Sequence, residues 1–193
     1  MAGRIALLKL LPFSLQELGE SGFPMKDAYD YVWRGTYPPL YDKSKYFLSE
    51  DWFENYLDTY LDLDVKELIN PANVSAFGKL LQICAFRSGQ LVNYEDISRN
   101  IGVSAVTVKS WLSILEASYI IHFLEPNSSN LGKSIVKTPK LYFIDSGLMC
   151  YLLRVDTKEE LLLDDHKGAA VETMAVSELL KSRWNTEKKT VLG

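Results

Sequence analysis

Residues 93–124 read NYEDISRNIGVSAVTVKSWLSILEASYIIHFL, and this run decides the fold. Asn93 can cap a helix over Tyr94–Asn100, with Asp96 at the position that completes a capping box. Ile101-Gly102-Val103-Ser104 reads as a tight turn. Gly102 suits the left-handed conformation that ends a helix, and Ser104 is the next N-cap. A further helix then runs from about Ala105 to Ala117, with Val108, Trp111, Leu112 and Leu115 three and four apart on its apolar face. A short helix, a Gly-containing turn and a longer helix that opens with small polar residues form a helix-turn-helix layout.

Working outward, Val74 to Arg87 reads as the preceding helix, with Phe77, Leu80, Leu81 and Cys84 as its apolar stripe. Downstream, Tyr119–Leu124 reads as a strand, Asn127–Lys137 as a polar loop and Lys140–Ile144 as a second strand. A strand, a loop and a strand after the reading helix make a wing, so residues 74–150 are expected to form a winged helix. Ahead of it, Ile5–Leu10 reads as a strand stopped by Pro12, and Ser14 caps a short helix with Glu17 at capping-box spacing. Asp27–Arg34 is a short helix, Gly35–Pro39 a turn, and Ser49 caps a long helix, Glu50 to about Ile69. Residues 1–70 are therefore a helical segment and 151–193 a helical stretch, with Leu152-Leu153 and Leu161-Leu162-Leu163 packing on the winged helix. The expected fold class is mainly α with small β pieces (α+β).

Composition narrows the function. Apolar residues are 47% of the 193 and charged residues 24%, which suits a globular domain rather than a disordered one. The net charge of −4 excludes a generally basic nucleic-acid binder but leaves room for a local patch. Such a patch exists: residues 71–150 carry net +2, against −5 for 1–70 and −1 for 151–193. Two cysteines, Cys84 and Cys150, form neither a disulfide framework nor a four-cysteine zinc site, and with two distant histidines, His122 and His166, metal chemistry is poorly supplied. No apolar run reaches the roughly 18 residues of a membrane span, and the chain is expected to be cytoplasmic.

A reading helix offers its early exposed side chains to the major groove, here Ser104, Ala105, Thr107, Lys109 and Ser110. Only Lys109 is cationic, so base reading by charged forks is poorly supplied. The wing is richer: Lys133, Lys137 and Lys140 lie within eight residues, preceded by Asn127, Ser128, Ser129 and Asn130 with no acid among them. Lysines and amides suit phosphate contact, which positions a protein without reading sequence. The other reading is a protein-docking or oligomerisation module, favoured by the acidic first third and by 11 Tyr and 4 Trp, since aromatics anchor interfaces. An enzyme is the third class. No phosphate-binding G-x-x-x-x-G-K-[ST] loop and no G-x-S-x-G elbow occurs, and Asp164, Asp165, Glu172 and Glu178 read equally well as a metal cluster or a charged surface.

Several motifs carry a family likeness. Ala2-Gly3-Arg4 with Leu11-Pro12-Phe13-Ser14, the Gly35-x-Tyr37-Pro38 turn, Trp52…Tyr56…Tyr60…Asp64-Val65 and Gly102-Val103-Ser104 form part of it. So do the run Lys137-x-Pro139-Lys140-Leu141-Tyr142-Phe143-x-Asp145-Ser146-Gly147-Leu148 and Gly168…Val171-Glu172. Together they resemble prokaryotic AAA-type ATPases with a C-terminal domain of unknown function, DUF4143. The resemblance implies a non-catalytic fragment of a larger parent. An ATPase core using ATP and Mg²⁺ would precede and act in cis, and a nuclease-like domain would begin near 151, with Glu172 as its first acidic position. The chain departs from that pattern at Leu63 and Ser134, where the family carries basic residues. The fragment itself would need no cofactor, and its implied partners are DNA, the ATPase core and a second copy of itself.

Overall fold

A computed structural model describes residues 10–23, 27–42, 49–126 and 138–191. The expected strand Ile5–Leu10 and the wing loop Asn127–Lys137 fall outside them, apart from Leu10. The rest is mainly helical with one small antiparallel sheet.

The helix-turn-helix forms as its sequence dictates. Helix α5 spans Val74–Phe86, α6 Tyr94–Ile101 and α7 Ala105–Ala117. Gly102 closes α6 at φ +81°, where a Cβ would be strained. The Asn93 side chain accepts the Asp96 N–H, but Asp96 does not complete the box. Its carboxylate is taken by the guanidinium groups of Arg87 and Arg99, which outcompete a backbone N–H as charged donors.

Strand β1, Ile121–Leu124, pairs antiparallel with β2, Lys140–Phe143, in the register Ile121↔Phe143 to Leu124↔Lys140. The first strand starts two residues later than the sequence suggests. Tyr119 holds φ +56° and ends α7, while the Ile120 N–H reaches back to the Leu115 carbonyl. A third short stretch flanks β2: the Gly89 and Val92 N–H groups donate to Leu141 and Pro139 carbonyls, and Leu91 bridges to Lys140. A helix, a short bridged stretch, two helices and a pair of strands follow one another in the order of a winged helix.

The flanks pack onto it. Helices α1, Leu15–Glu20, and α2, Ala28–Arg34, open with capping boxes from Ser14 and Asp27. Helix α3, Ser49–Thr59, continues through a π-helical turn, Tyr60–Val65, into α4, Lys66–Leu68, so the long helix of the sequence reading is one rod with a widened turn. After β2 come α8, Ser146–Leu152, α9, Lys158–Leu163, and α10, Lys167–Val191. One continuous apolar core runs from Val32 in α2 through Phe53, Phe77, Leu112 and Phe143 to Met174 in α10. Of the leucines expected to pack on the winged helix, Leu152 and Leu161 are buried, whereas Leu163 is 88% exposed.

A polar seam crosses this core. Lys181 of α10, 1% exposed, donates to the Phe13 carbonyl (3.0 Å), Thr36 Oγ1 (2.9 Å) and Glu178 Oε1 (3.1 Å). Thr36 passes the chain on, donating its N–H and hydroxyl to Asp145 at 2.6 and 3.1 Å. Asp145 also caps α8 through the Leu148 N–H. Gly35 and Gly147 have no room for a side chain, because Asp145 and the Arg34 carbonyl lie against them.

Candidate nucleic-acid interface

The apolar stripe of α7 decides which of its residues face out. Val108, Leu112 and Leu115 are fully buried and Trp111 nearly so. The opposite face, at the 3.6-residue period, holds Val106, Lys109, Ser110 and Ser113, all exposed. Lys109 and Ser110 therefore stand where the sequence placed them. Ser104 and Thr107 lie on the same rim, but their hydroxyls are engaged with each other at 2.7 Å, and Ser104 Oγ accepts the Thr107 N–H at 3.0 Å. They serve the helix cap, and one of the two hydroxyl protons is left to donate outward. Val106, 81% exposed, and Ser113 were missed by the sequence reading. Counting three and four forward or back from Lys109 would have found both.

Of the wing residues, Asn130, Lys133 and Lys137 lie outside the described residues. Lys140 is described and is paired: its Nζ donates to Glu172 Oε1 at 3.2 Å, and the Tyr142 hydroxyl donates to the same oxygen at 2.6 Å. The Glu172 carboxylate lies against Gly89, whose backbone holds φ +83°. The Tyr142 hydroxyl and then the Lys140 ammonium hold the Glu172 carboxyl below its ordinary range. The bond to Glu172 in turn raises Lys140. Lys140 therefore meets an acid from α10 before it can meet a phosphate, a contact across 32 residues of sequence.

The remaining chemistry is scattered. Asp164 accepts from His166, Glu172 from Tyr142 and Lys140, and Glu178 from the Leu15 N–H and Lys181. No group of three or more His, Cys, Asp or Glu among the described residues converges as a metal site. Burial pushes the Cys84 thiol well up and the Cys150 thiol up to about 12, so neither is an activated nucleophile. No helix among the described residues is long and apolar enough to cross a membrane.

Residues 25–159 match DUF8612, a domain of unknown function. Uncharacterized proteins of Mycobacterium tuberculosis and Mycobacterium bovis are each 27% identical over 180 residues, covering 93% of this chain and 40% of the relative. The chain thus spans about two fifths of the length of these curated relatives. No solved structure matches significantly. The family match corrects the likeness drawn from the motifs: the family is DUF8612, not DUF4143, and neither relative is named as an AAA ATPase. The motifs misled because they are fold-bearing. Asp145 is a helix cap, Gly147 is packed against a backbone carbonyl, and Leu141 to Phe143 are buried strand residues. Positions that a local architecture dictates do not single out one family.

Proposed function

We propose a function for this chain, which belongs to the DUF8612 family: its winged helix contacts DNA, with α7 toward the groove and Lys133 and Lys137 of the wing on phosphates. One observation carries the reading. The outer face of α7 is open, and its Lys109 is exposed with no ion pair among the described residues. The basic lean of residues 71–150 supports it, since phosphate contacts supply most sequence-tolerant affinity. Buried free thiols at Cys84 and Cys150 suit a reducing compartment, so the reading assigns the chain to the cytoplasm.

The test is fluorescence anisotropy of a labelled DNA duplex titrated with the chain at several salt concentrations. Affinity is expected to fall steeply with salt. Replacing Lys133 and Lys137 together by Ala should flatten the slope of log affinity against log salt by about 1–2 units. No binding at low salt overturns the reading.

A second reading, a surface for a protein partner or a second copy, is favoured by the exposed apolar side chains Leu163 and Leu179, which are 88% and 72% exposed. Light scattering across a concentration series tests self-association: a rising mass supports it, and a constant monomer mass counts against it.

A further inference from the structure

We infer that the ligand of the α7 face is double-stranded B-form DNA, and that Val106 reads it by packing against the 5-methyl group of a thymine. This rests on the DNA-contacting reading above and adds to it a ligand class and a specificity residue.

The argument starts from what α7 exposes. Val106, Lys109, Ser110 and Ser113 follow one another at helical spacings of three, one and three, so they share one face. At 1.5 Å per residue they span about 10 Å of axis, matching roughly three base pairs of a duplex. Val106 is the second residue of α7 and is 81% exposed, so no packing among the described residues accounts for a branched apolar side chain there. Reading helices bring such early residues to the base edges. In the major groove the one apolar feature of a base edge is the thymine methyl, and small apolar side chains contact it. Lys109 stands one turn further on, within reach of a guanine edge or a phosphate.

The same face argues against other nucleic acids. Single strands are held by stacking on exposed aromatic rings. The one aromatic ring on α7, Trp111, is 4% exposed and turned into the core. Double-stranded RNA has a major groove too deep and narrow for side chains to read, and its uracils lack the methyl group.

The experiment uses the full chain. A random 20-base-pair duplex library is enriched on immobilised protein, and the tightest duplex is remade with each thymine in turn replaced by deoxyuridine. Anisotropy is measured for the wild type, Val106→Ser and Lys137→Ala. The expected result is one thymine position whose replacement weakens wild-type binding about fourfold, the worth of one buried methyl. Val106→Ser should bind the two duplexes equally, and Lys137→Ala should keep the discrimination while binding both more weakly. Equal wild-type binding of every thymine and deoxyuridine pair overturns the inference, as does discrimination that survives in Val106→Ser. Tighter binding to single-stranded DNA or to an RNA duplex of the same sequence overturns it too. In those outcomes salt-dependent DNA binding still stands. Loss of all DNA binding at low salt instead removes the underlying reading. Val106 is exposed, so unchanged thermal melting of Val106→Ser confirms that the fold is intact.

Discussion

Lys181 shows how a single side chain joins distant parts of this protein. Its ammonium has three protons and three acceptors, on residues 13, 36 and 178, and is 1% exposed. Burial pushes the Asp145 carboxyl up, while the charge of Lys181 and the bonds from Thr36 and the Leu148 N–H hold it down. Removing Lys181 leaves the Thr36–Asp145 end without its cation. Lys181→Met is therefore expected to cost about 3–5 kcal/mol, the loss typical of breaking a buried charge pair. Urea denaturation would measure it. A loss under about 1 kcal/mol would mean that the seam relaxes or admits water. Nothing in the spacing of residues 13, 36, 145 and 181 announces this contact. A lysine late in a helix reads as solvated, and only the packing of α10 against the Gly35-Thr36 turn makes it an interior residue.

At the scale of elements, the reading of α5, α6 and α7 from sequence agrees with the structure to within about a residue at each boundary. Apolar period and capping are local signals, and these helices obey both. The π-helical turn at Tyr60–Val65 was not legible, because the spacing of Tyr60, Leu61 and Val65 is compatible with an ordinary helix. Nor was the docking of α10 on the wing strands through Glu172. That contact predicts a pH effect. The Glu172 carboxyl is held low in the folded chain, so its contribution is present above the ordinary carboxylate range. It is lost as pH falls below 4.5 through the lowered folded value. Lys140 and Glu172 are each nearly half exposed, so solvent screening limits the gain to under about 1 kcal/mol. Glu172→Gln should lose that amount at pH 7 and should show a shallower fall in stability on acidification, measured by denaturation at a series of pH values. Equal acid slopes for both proteins would show that Glu172 contributes nothing. On the proposed DNA reading, the same change also frees Lys140 for phosphate.

The whole molecule is joined through one core. Ala170 and Met174 of α10 and Leu161 of α9 belong to the same cluster as Phe77 and Leu112 of the helix-turn-helix. Ser88 shares a hydrogen bond with Thr173 at 2.8 Å, and Ser177 donates to the Ile144 carbonyl. Ending the chain after residue 150 would cut into α8, strip apolar cover from β2, take the Thr173 hydroxyl from Ser88 and take Lys181 from the Thr36–Asp145 pair. Such a truncation is expected to lose cooperative unfolding, while the full chain melts in one transition. Calorimetry of both would test this. A sharp transition in the truncated chain would show that the winged helix folds alone.

By itself the sequence determined the local elements: the caps at Ser14, Asn93 and Ser104, the left-handed glycine at 102, the apolar faces of α5 and α7, and the two strand segments after α7. Each depends on residues within a turn or two of one another, so a single chain segment carries the information. Tertiary structure alone decided the rest. It tied Lys140 to Glu172, buried Lys181 between residues 13 and 36, and made the flanks part of one core with the winged helix. These depend on pairs separated by 30 to 168 residues, or on which side of a helix the rest of the chain covers. Burial and partnership at that range follow from packing geometry, to which no local pattern of residue types corresponds.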